Sequence, residues 1–257
     1  MLFDTVHIIY IVLTFVTTIG SLIGLKFIKE QKWKDFALKS FALVTVLVHF
    51  SLVWTSYLQT GVAMITPSIL FPIFFCNLAM WMLLIAAFWK NKESKLFKWM
   101  ATFTAYAGII GALVTTFYPD FYIANPDVSN WMVLRSMIDH TTMMIGCLYL
   151  FVGGYIKVRV FNVVPFVCGL LFSAIVGFIN NGIFSLCGLP AQNSMYLQKP
   201  AIEGVPFLSC YVIALMAVAL VFVVGVIYEF IALKKEDRWY NHIHFKKKQA
   251  QNDEIKK

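Results

Sequence analysis

Seven long apolar stretches occupy most of this chain, and they constrain its fold more than any other feature. Each is close in length to the roughly 20 residues with which an α-helix crosses the hydrocarbon core of a bilayer. Because a backbone in lipid must satisfy its own hydrogen bonds, the sequence predicts an all-α polytopic membrane protein with seven transmembrane helices. The stretches cover residues 5–28, 40–60, 69–89, 98–118, 131–155, 161–187 and 206–233.

The composition also indicates a membrane protein. Of the 257 residues, 60% are hydrophobic and 13% are charged, whereas about half and about a quarter are usual in soluble domains. The longest gaps, near residues 119–130 and 188–205, are too short for a soluble domain. We therefore predict a transmembrane domain over residues 1–233, followed by a basic, partly disordered tail over residues 234–257, in a multi-pass protein of the cell membrane.

The basic residues are concentrated in alternate loops and in the tail. Lysines and arginines follow the first, third, fifth and seventh predicted helices, whereas the opposite loops hold acidic residues with the single lysine Lys199. This positive-inside pattern predicts an N-terminus outside and a C-terminus in the cytoplasm. Anionic lipid headgroups are sufficient partners for the net charge of +8, so we predict no nucleic-acid partner.

Several kinds of chemistry lack their sequence signatures. The loops contain no glycine-rich phosphate loop and no kinase motif, and the five cysteines show no C-x-x-C spacing. The last predicted helix has no lysine, which excludes a retinal Schiff base there. We therefore predict no cofactor and no metal site.

A set of polar residues lies inside the predicted helices at a similar depth. With a rise of 1.5 Å per residue, Cys76, His140, Asn180 and Asn181 lie about 9–13 Å below the outer surface, Arg135 lies about one turn below it, and His49 lies deeper, at about 16 Å. An ionisable residue within a membrane is a candidate functional residue, because burying it is costly unless it is paired or used. The candidates are Cys76, Asn77, Arg135, Asp139, His140, Asn180 and Asn181.

Cys76 and His140 suggest acyl chemistry. A cysteine attacks as its thiolate, and a nearby histidine can accept the thiol proton. Pro72 precedes Cys76 by one turn and removes a helical hydrogen bond, which leaves backbone groups available to a developing oxyanion. The alternative for Cys76 is a structural role, since a buried cysteine often behaves as a small hydrophobic residue.

The other polar residues have two interpretations each. Arg135 and Asp139 are four residues apart, so they either form an ion pair or leave Arg135 to bind a lipid phosphate. Ser136 and His140 have the same spacing, which keeps a serine nucleophile open. The amides of Asn77, Asn180 and Asn181 are candidate oxyanion or substrate donors, or they join helices by hydrogen bonds. Asn180-Asn181-Gly182 also interrupts an apolar run, so the sixth helix is the one nearest to a broken helix.

Five stretches of the chain resemble the bacterial YwaF-type membrane proteins, which are relatives of the transmembrane protein 164 (TMEM164) acyltransferases. Together they span the third to seventh predicted helices in order. They are Phe71–Asn77; Gly108–Leu113 followed by Tyr118-Pro119-Asp120; His140 leading into Leu148-Tyr149-Leu150 and Gly153-Gly154-Tyr155; Asn193–Pro200; and Pro206 with Tyr211.

The resemblance implies a seven-helix enzyme that moves an acyl chain between phospholipids through a cysteine thioester. Carried over to this chain, Cys76 is the nucleophile and His140 is the base, with a membrane phospholipid as substrate. The buried Arg135, Asp139 and His140 leave a second hypothesis open, in which the chain is a small-solute transporter or a membrane subunit of one.

Overall fold

The computed structural model describes residues 2–190, 192–201, 205 and 209–241, and over this part of the chain it is helical without β-strands. Three short 3-10 turns connect the helices, at Val160–Asn162, Ser194–Tyr196 and Lys235–Asp237. The α-helices are α1 (Thr5–Lys26), α2 (Gln31–Thr60), α3 (Pro67–Leu70), α4 (Phe75–Phe88), α5 (Lys95–Phe117), α6 (Asp120–Ala124), α7 (Trp131–Val152), α8 (Val163–Leu186) and α9 (Cys210–Ala232).

The all-α, multi-pass fold is confirmed. Within the described residues, six helical segments are long and apolar enough to cross a membrane, and they account for every predicted span except α7. The 22 residues of α7 include Arg135, Asp139 and His140, which lower its hydropathy. Helix α7 packs against α1, α2, α4 and α5, so protein surrounds its polar side chains. The seventh crossing and the orientation of the termini stay predictions.

The predicted third helix is broken in two. It was expected to run over residues 69–89, but α3 ends at Leu70 and α4 begins only at Phe75. Pro72 lies in the break, where it cannot donate a helical hydrogen bond. The expected interruption at residues 180–182 is absent, because α8 continues through them to Leu186. The irregular backbone within the bundle therefore lies next to Cys76.

The lysine-rich end of the bundle, formed by the loops near residues 27–30, 89–94 and 153–162 and by residues 233–241, is tied together through Glu229 of α9. This side chain is 1% exposed and accepts hydrogen bonds from the backbone N–H groups of Val160 and Trp239. The first eight residues of the predicted tail thus include a segment that packs back on the bundle. Residues 242–257 of that tail, and Pro206, lie outside the described residues.

Candidate functional site

Two neighbouring helices build a buried polar cluster. His49 of α2 and Asp139 of α7 are 5% and 8% exposed, and Nδ1 of His49 lies 3.5 Å from Oδ2 of Asp139. Arg135, one turn earlier on α7, places Nη1 3.4 Å from the same ring nitrogen. We call His49, Arg135 and Asp139 the charged cluster.

Arg135 and Asp139 do not form the direct ion pair that their spacing allows. Nη1 of Arg135 donates instead to the main-chain oxygen of His49 over 3.0 Å, and Nη2 lies 3.4 Å from the hydroxyl of Ser136. The two charges still act on each other electrostatically. The His49 ring therefore lies between the guanidinium and the carboxylate. Helix α2 takes part in this cluster, whereas the four-residue spacing of Arg135 and Asp139 predicted a pair within α7 alone.

The charged cluster has hydrogen-bonding capacity to spare. Three of its buried atoms have no partner among the described residues, namely Nε2 of His49, Nε of Arg135 and Oδ1 of Asp139. Buried polar atoms in folded proteins are nearly always paired, so an unpaired set at one place indicates room for a polar group from elsewhere. The charged cluster can thus bind a polar group in addition to joining α2 and α7.

Cys76 lies in the first turn of α4, directly after the break, and is only partly buried. Gly111 of α5 lies against it, and a Cβ added to this glycine would be 3.6 Å from Cβ of Cys76. Asn77 caps the same turn, since its Oδ1 accepts a hydrogen bond from the N–H of Phe74. The Asn77 carbonyl oxygen thus stabilises the start of α4, whereas its NH₂ group stays available.

The electrostatic environment of Cys76 comes from α7 and from its own helix. Asp139 and Arg135 both act on the thiol electrostatically, as do the N–H groups of Cys76 and Asn77 at the start of α4. Cys76 therefore lies within electrostatic reach of the charged cluster, without a hydrogen bond to it among the described residues. Burial and the Asp139 carboxylate oppose an anionic sulfur, whereas the first-turn N–H groups and the Arg135 guanidinium favour it.

His140 has a defined tautomer but no hydrogen bond to Cys76. Its Nδ1 lies 2.8 Å from the main-chain oxygen of Ser136, which can only accept, so Nδ1 carries a proton and, in the neutral ring, Nε2 carries the lone pair. The ring stacks on Phe121 of α6 at 6.2 Å between centroids. Among the described residues no hydrogen bond joins His140 to Cys76. The serine alternative loses support, because the Ser136 hydroxyl donates to the Met132 oxygen.

The two asparagines of α8 fasten a loop over the helix break. Asn180 Nδ2 donates to the Pro72 oxygen over 3.1 Å, and Asn181 Oδ1 accepts from the N–H of Ser194 over 2.9 Å. The N–H of Met195 adds a hydrogen bond to the Ile73 oxygen. These contacts support the helix-joining interpretation of both side chains.

The loop held by Asn181 has an unusual backbone and lies close to the cysteine. Asn193, Met195 and Tyr196 all have positive φ angles, of 49°, 54° and 55°, which side chains other than glycine rarely adopt. Tyr196 lies 5.7 Å from Phe74 between ring centroids and interacts electrostatically with Cys76. Burial raises the pKa of the Tyr196 hydroxyl. The loop therefore covers the start of α4.

The structure places the candidate residues in three groups within the bundle. Cys76 and Asn77 lie at the start of α4 and Arg135 and Asp139 in the first half of α7, whereas Asn180 and Asn181 lie behind the break and His140 stacks on Phe121 of α6. No functional role was predicted for His49. A histidine inside the apolar run of α2 was the available signal, but its greater depth set it apart from the others.

Fold and site together define a polytopic membrane protein with a charged, partly unsatisfied cluster inside its helical bundle. A family model matches residues 2–228, and the chain belongs to the TMEM164 family. This confirms the predicted relationship to the TMEM164 family, whereas the resemblance to the YwaF-type bacterial proteins stays a prediction. No curated protein and no solved structure matches the chain.

Proposed function

We propose that this protein transfers acyl chains between membrane phospholipids, with Cys76 carrying the acyl group as a thioester. The observation that carries the proposal is the position of Cys76. Cys76 is a partly buried residue in the first turn of α4, directly after the helix break, and the N-terminus of a helix favours an anionic sulfur. A structural cysteine, such as the fully buried Cys147, has no such surroundings.

The reaction divides into two steps. The Cys76 thiolate attacks the ester carbonyl of a phospholipid, the C–S bond forms, and the C–O bond to the lysophospholipid breaks. A hydroxyl of a second lysophospholipid, or water, then attacks the thioester and restores the thiol. Nε2 of His140 carries a lone pair and is the proposed base, accepting a proton in the first step and returning it to the leaving alcohol. The NH₂ group of Asn77 and the N–H groups of α4 are the proposed oxyanion donors.

Purified protein incubated with labelled phospholipid and lysophospholipid tests this function. We expect labelled acyl chains to move between lipids, and mass spectrometry to find an acyl adduct on Cys76. Cys76→Ser should lose most of the turnover, since a hydroxyl ionises far less readily than a thiol, whereas Cys168→Ser on the exposed face of α8 should keep it. Full activity of Cys76→Ser, or no acyl movement across a broad lipid panel, would refute the proposal. Solute flux without a Cys76 adduct would instead support a transporter.

A further inference from the structure

Helix register brings Asp139 of α7, and not His140, to the face of α4 that carries Cys76. The two helices meet at Gly146 and Leu83, where a Cβ added to the glycine would be 2.8 Å from Cδ2 of Leu83. Residues seven apart lie on the same face of a helix, about 10 Å along its axis. Cys76 precedes Leu83 by seven residues, and Asp139 precedes Gly146 by seven.

Helices α4 and α7 are parallel, as they must be if Cys76 and Asp139 both lie seven residues before the contact of Leu83 with Gly146. Helix α5 is antiparallel to both, since Gly111 near its C-terminal end meets Cys76 at the start of α4. On α7, Cys147 contacts the Thr104 oxygen and Gly108, whereas Met143 contacts Gly108. Later residues of α5 therefore contact earlier residues of α7, so these two helices are antiparallel. The N-terminal halves of α4 and α7 consequently lie side by side.

His140 points elsewhere, because one residue on a helix corresponds to a rotation of about 100°. Its ring faces Phe121 of α6, and its Nδ1–H is engaged by the Ser136 oxygen. The neighbouring Thr141 turns further and reaches Thr14 of α1. The side chain that α7 presents towards Cys76 is thus a carboxylate with one unpartnered, buried oxygen.

We infer that Asp139 is the proton acceptor of the Cys76 thiol, held in place by His49, which Arg135 contacts in turn. The inference rests on the proposed function and assigns the first proton transfer within it to a different group. The S–H bond of Cys76 breaks and the proton moves to Oδ1 of Asp139, so the negative charge passes from carboxylate to sulfur. The Arg135 charge acts on both groups, and the total charge of the site does not change. His140 then exchanges protons with the oxygen atoms of the substrate.

The proton returns within the same cycle. After the thioester has formed, the protonated Asp139 donates to the leaving alkoxide, directly or through Nε2 of His140. When a hydroxyl attacks the thioester, its proton passes to the vacated base, and the departing thiolate is protonated again. Each cycle therefore ends with a thiol on Cys76 and a carboxylate on Asp139, without any external oxidant or metal.

Alkylation of Cys76 by N-ethylmaleimide separates this role from simple charge repulsion by the sign of the effect. If Asp139 takes the thiol proton, Asp139→Asn slows alkylation at neutral pH, and we expect at least a tenfold loss. If the carboxylate only repels the thiolate, its removal speeds alkylation. Rates are measured on the whole protein by peptide mass spectrometry, so that Cys168, exposed on α8, serves as the internal reference in every sample.

Two further variants make the result decisive. Asp139→Glu keeps a carboxylate and should retain a larger part of the rate than Asp139→Asn, which a purely structural role does not predict. His140→Ala should change Cys76 alkylation less than Asp139→Asn does. A rate in Asp139→Asn equal to or above that of the wild type, or a larger loss in His140→Ala, would overturn the inference. Acyl movement is measured separately, so an inactive wild type with Asp139-dependent alkylation rejects only the proposed function.

Discussion

The amide of Asn180 donates a hydrogen bond to the main-chain oxygen of Pro72, across 3.1 Å and 108 positions of sequence. The break between α3 and α4 frees backbone groups that a continuous helix would have paired. Helix α8 supplies the missing donor, and the loop over residues 193–197 supplies another at Ile73. The irregular segment before Cys76 is thus held by elements that lie far away in the chain.

Asn180 and Asn181 should respond differently to the same substitution. Asn180→Asp removes the donor that Pro72 needs and places a carboxylate against a carbonyl, so we expect a loss of about 1–3 kcal/mol in the free energy of unfolding. Asn181→Asp keeps the oxygen that accepts from Ser194 and should cost less. Thermal melting in detergent compares the two. Equal destabilisation would mean that burying the added charge, and not the lost donor, decides the outcome.

Glu229 should be among the most important side chains at the lysine-rich end. It accepts from Val160 over 2.9 Å and from Trp239 over 2.7 Å, while a glutamine has only one acceptor oxygen. Because a hydrogen bond to a charged group contributes about 1.5–3 kcal/mol, Glu229→Gln should lower the melting temperature, and Glu229→Ala should lower it further. Glu236→Gln, on an exposed turn, is the matched control and should melt like the wild type.

Gly225 should not tolerate a side chain, although glycine is a poor helix former. A Cβ added at this position would lie 2.8 Å from Cα of Val160 and 2.9 Å from the Arg159 oxygen, and both contacts are with backbone. Gly225→Ala should therefore cost about 1–3 kcal/mol in stability through overpacking. Gly20→Ala on α1 meets no atom within 4 Å and should be neutral or slightly stabilising, because alanine favours a helix. A stable Gly225→Ala variant would show that α9 can move away from the turn.

The Tyr155 hydroxyl should make the free energy of unfolding depend on pH in the alkaline range. Its hydroxyl donates to Oδ1 of Asp35 over 2.6 Å, and burial together with this hydrogen bond raises the pKa of the phenol. Because the pKa of Tyr155 is higher in the folded state, this hydroxyl contributes its full share of the folding stability below about pH 10, the pKa of an unfolded tyrosine. That share is lost as the pH rises towards the folded-state pKa. Tyr155→Phe should be less stable than the wild type at pH 8 by about 1.5–3 kcal/mol.

Melting temperatures measured over a range of pH test the role of the Tyr155 hydroxyl. Melting temperatures of wild type and Tyr155→Phe should approach each other as the buffer is raised from about pH 8 to above about pH 10, because the variant has no phenol to ionise. Tyr211→Phe, at a position that is 74% exposed, should match the wild type throughout. A gap between wild type and Tyr155→Phe that does not change with pH would contradict the assignment to this hydroxyl.

The helices and the depth of the polar residues follow from the sequence because both depend on local rules. A run of apolar residues sets where a segment crosses the bilayer, and a constant rise per residue sets how deep Cys76 or Asp139 lies. The predicted bounds of α1, α5 and α8 agree with the structure to within a few residues. Pro72 also indicated a weakened helix, although only the structure shows that α3 and α4 separate there.

The rotation of each helix about its own axis was decided only by tertiary packing. Asp139 and His140 are adjacent in sequence and equally polar by composition, but about 100° of rotation sends one towards α4 and the other under α6. What fixes that rotation is contact between distant segments, such as Gly146 against Leu83 and Arg135 against the His49 oxygen. Depth alone could therefore group the polar residues, whereas the close packing of α2, α4, α5 and α7 determined which side of the bundle each of them faces.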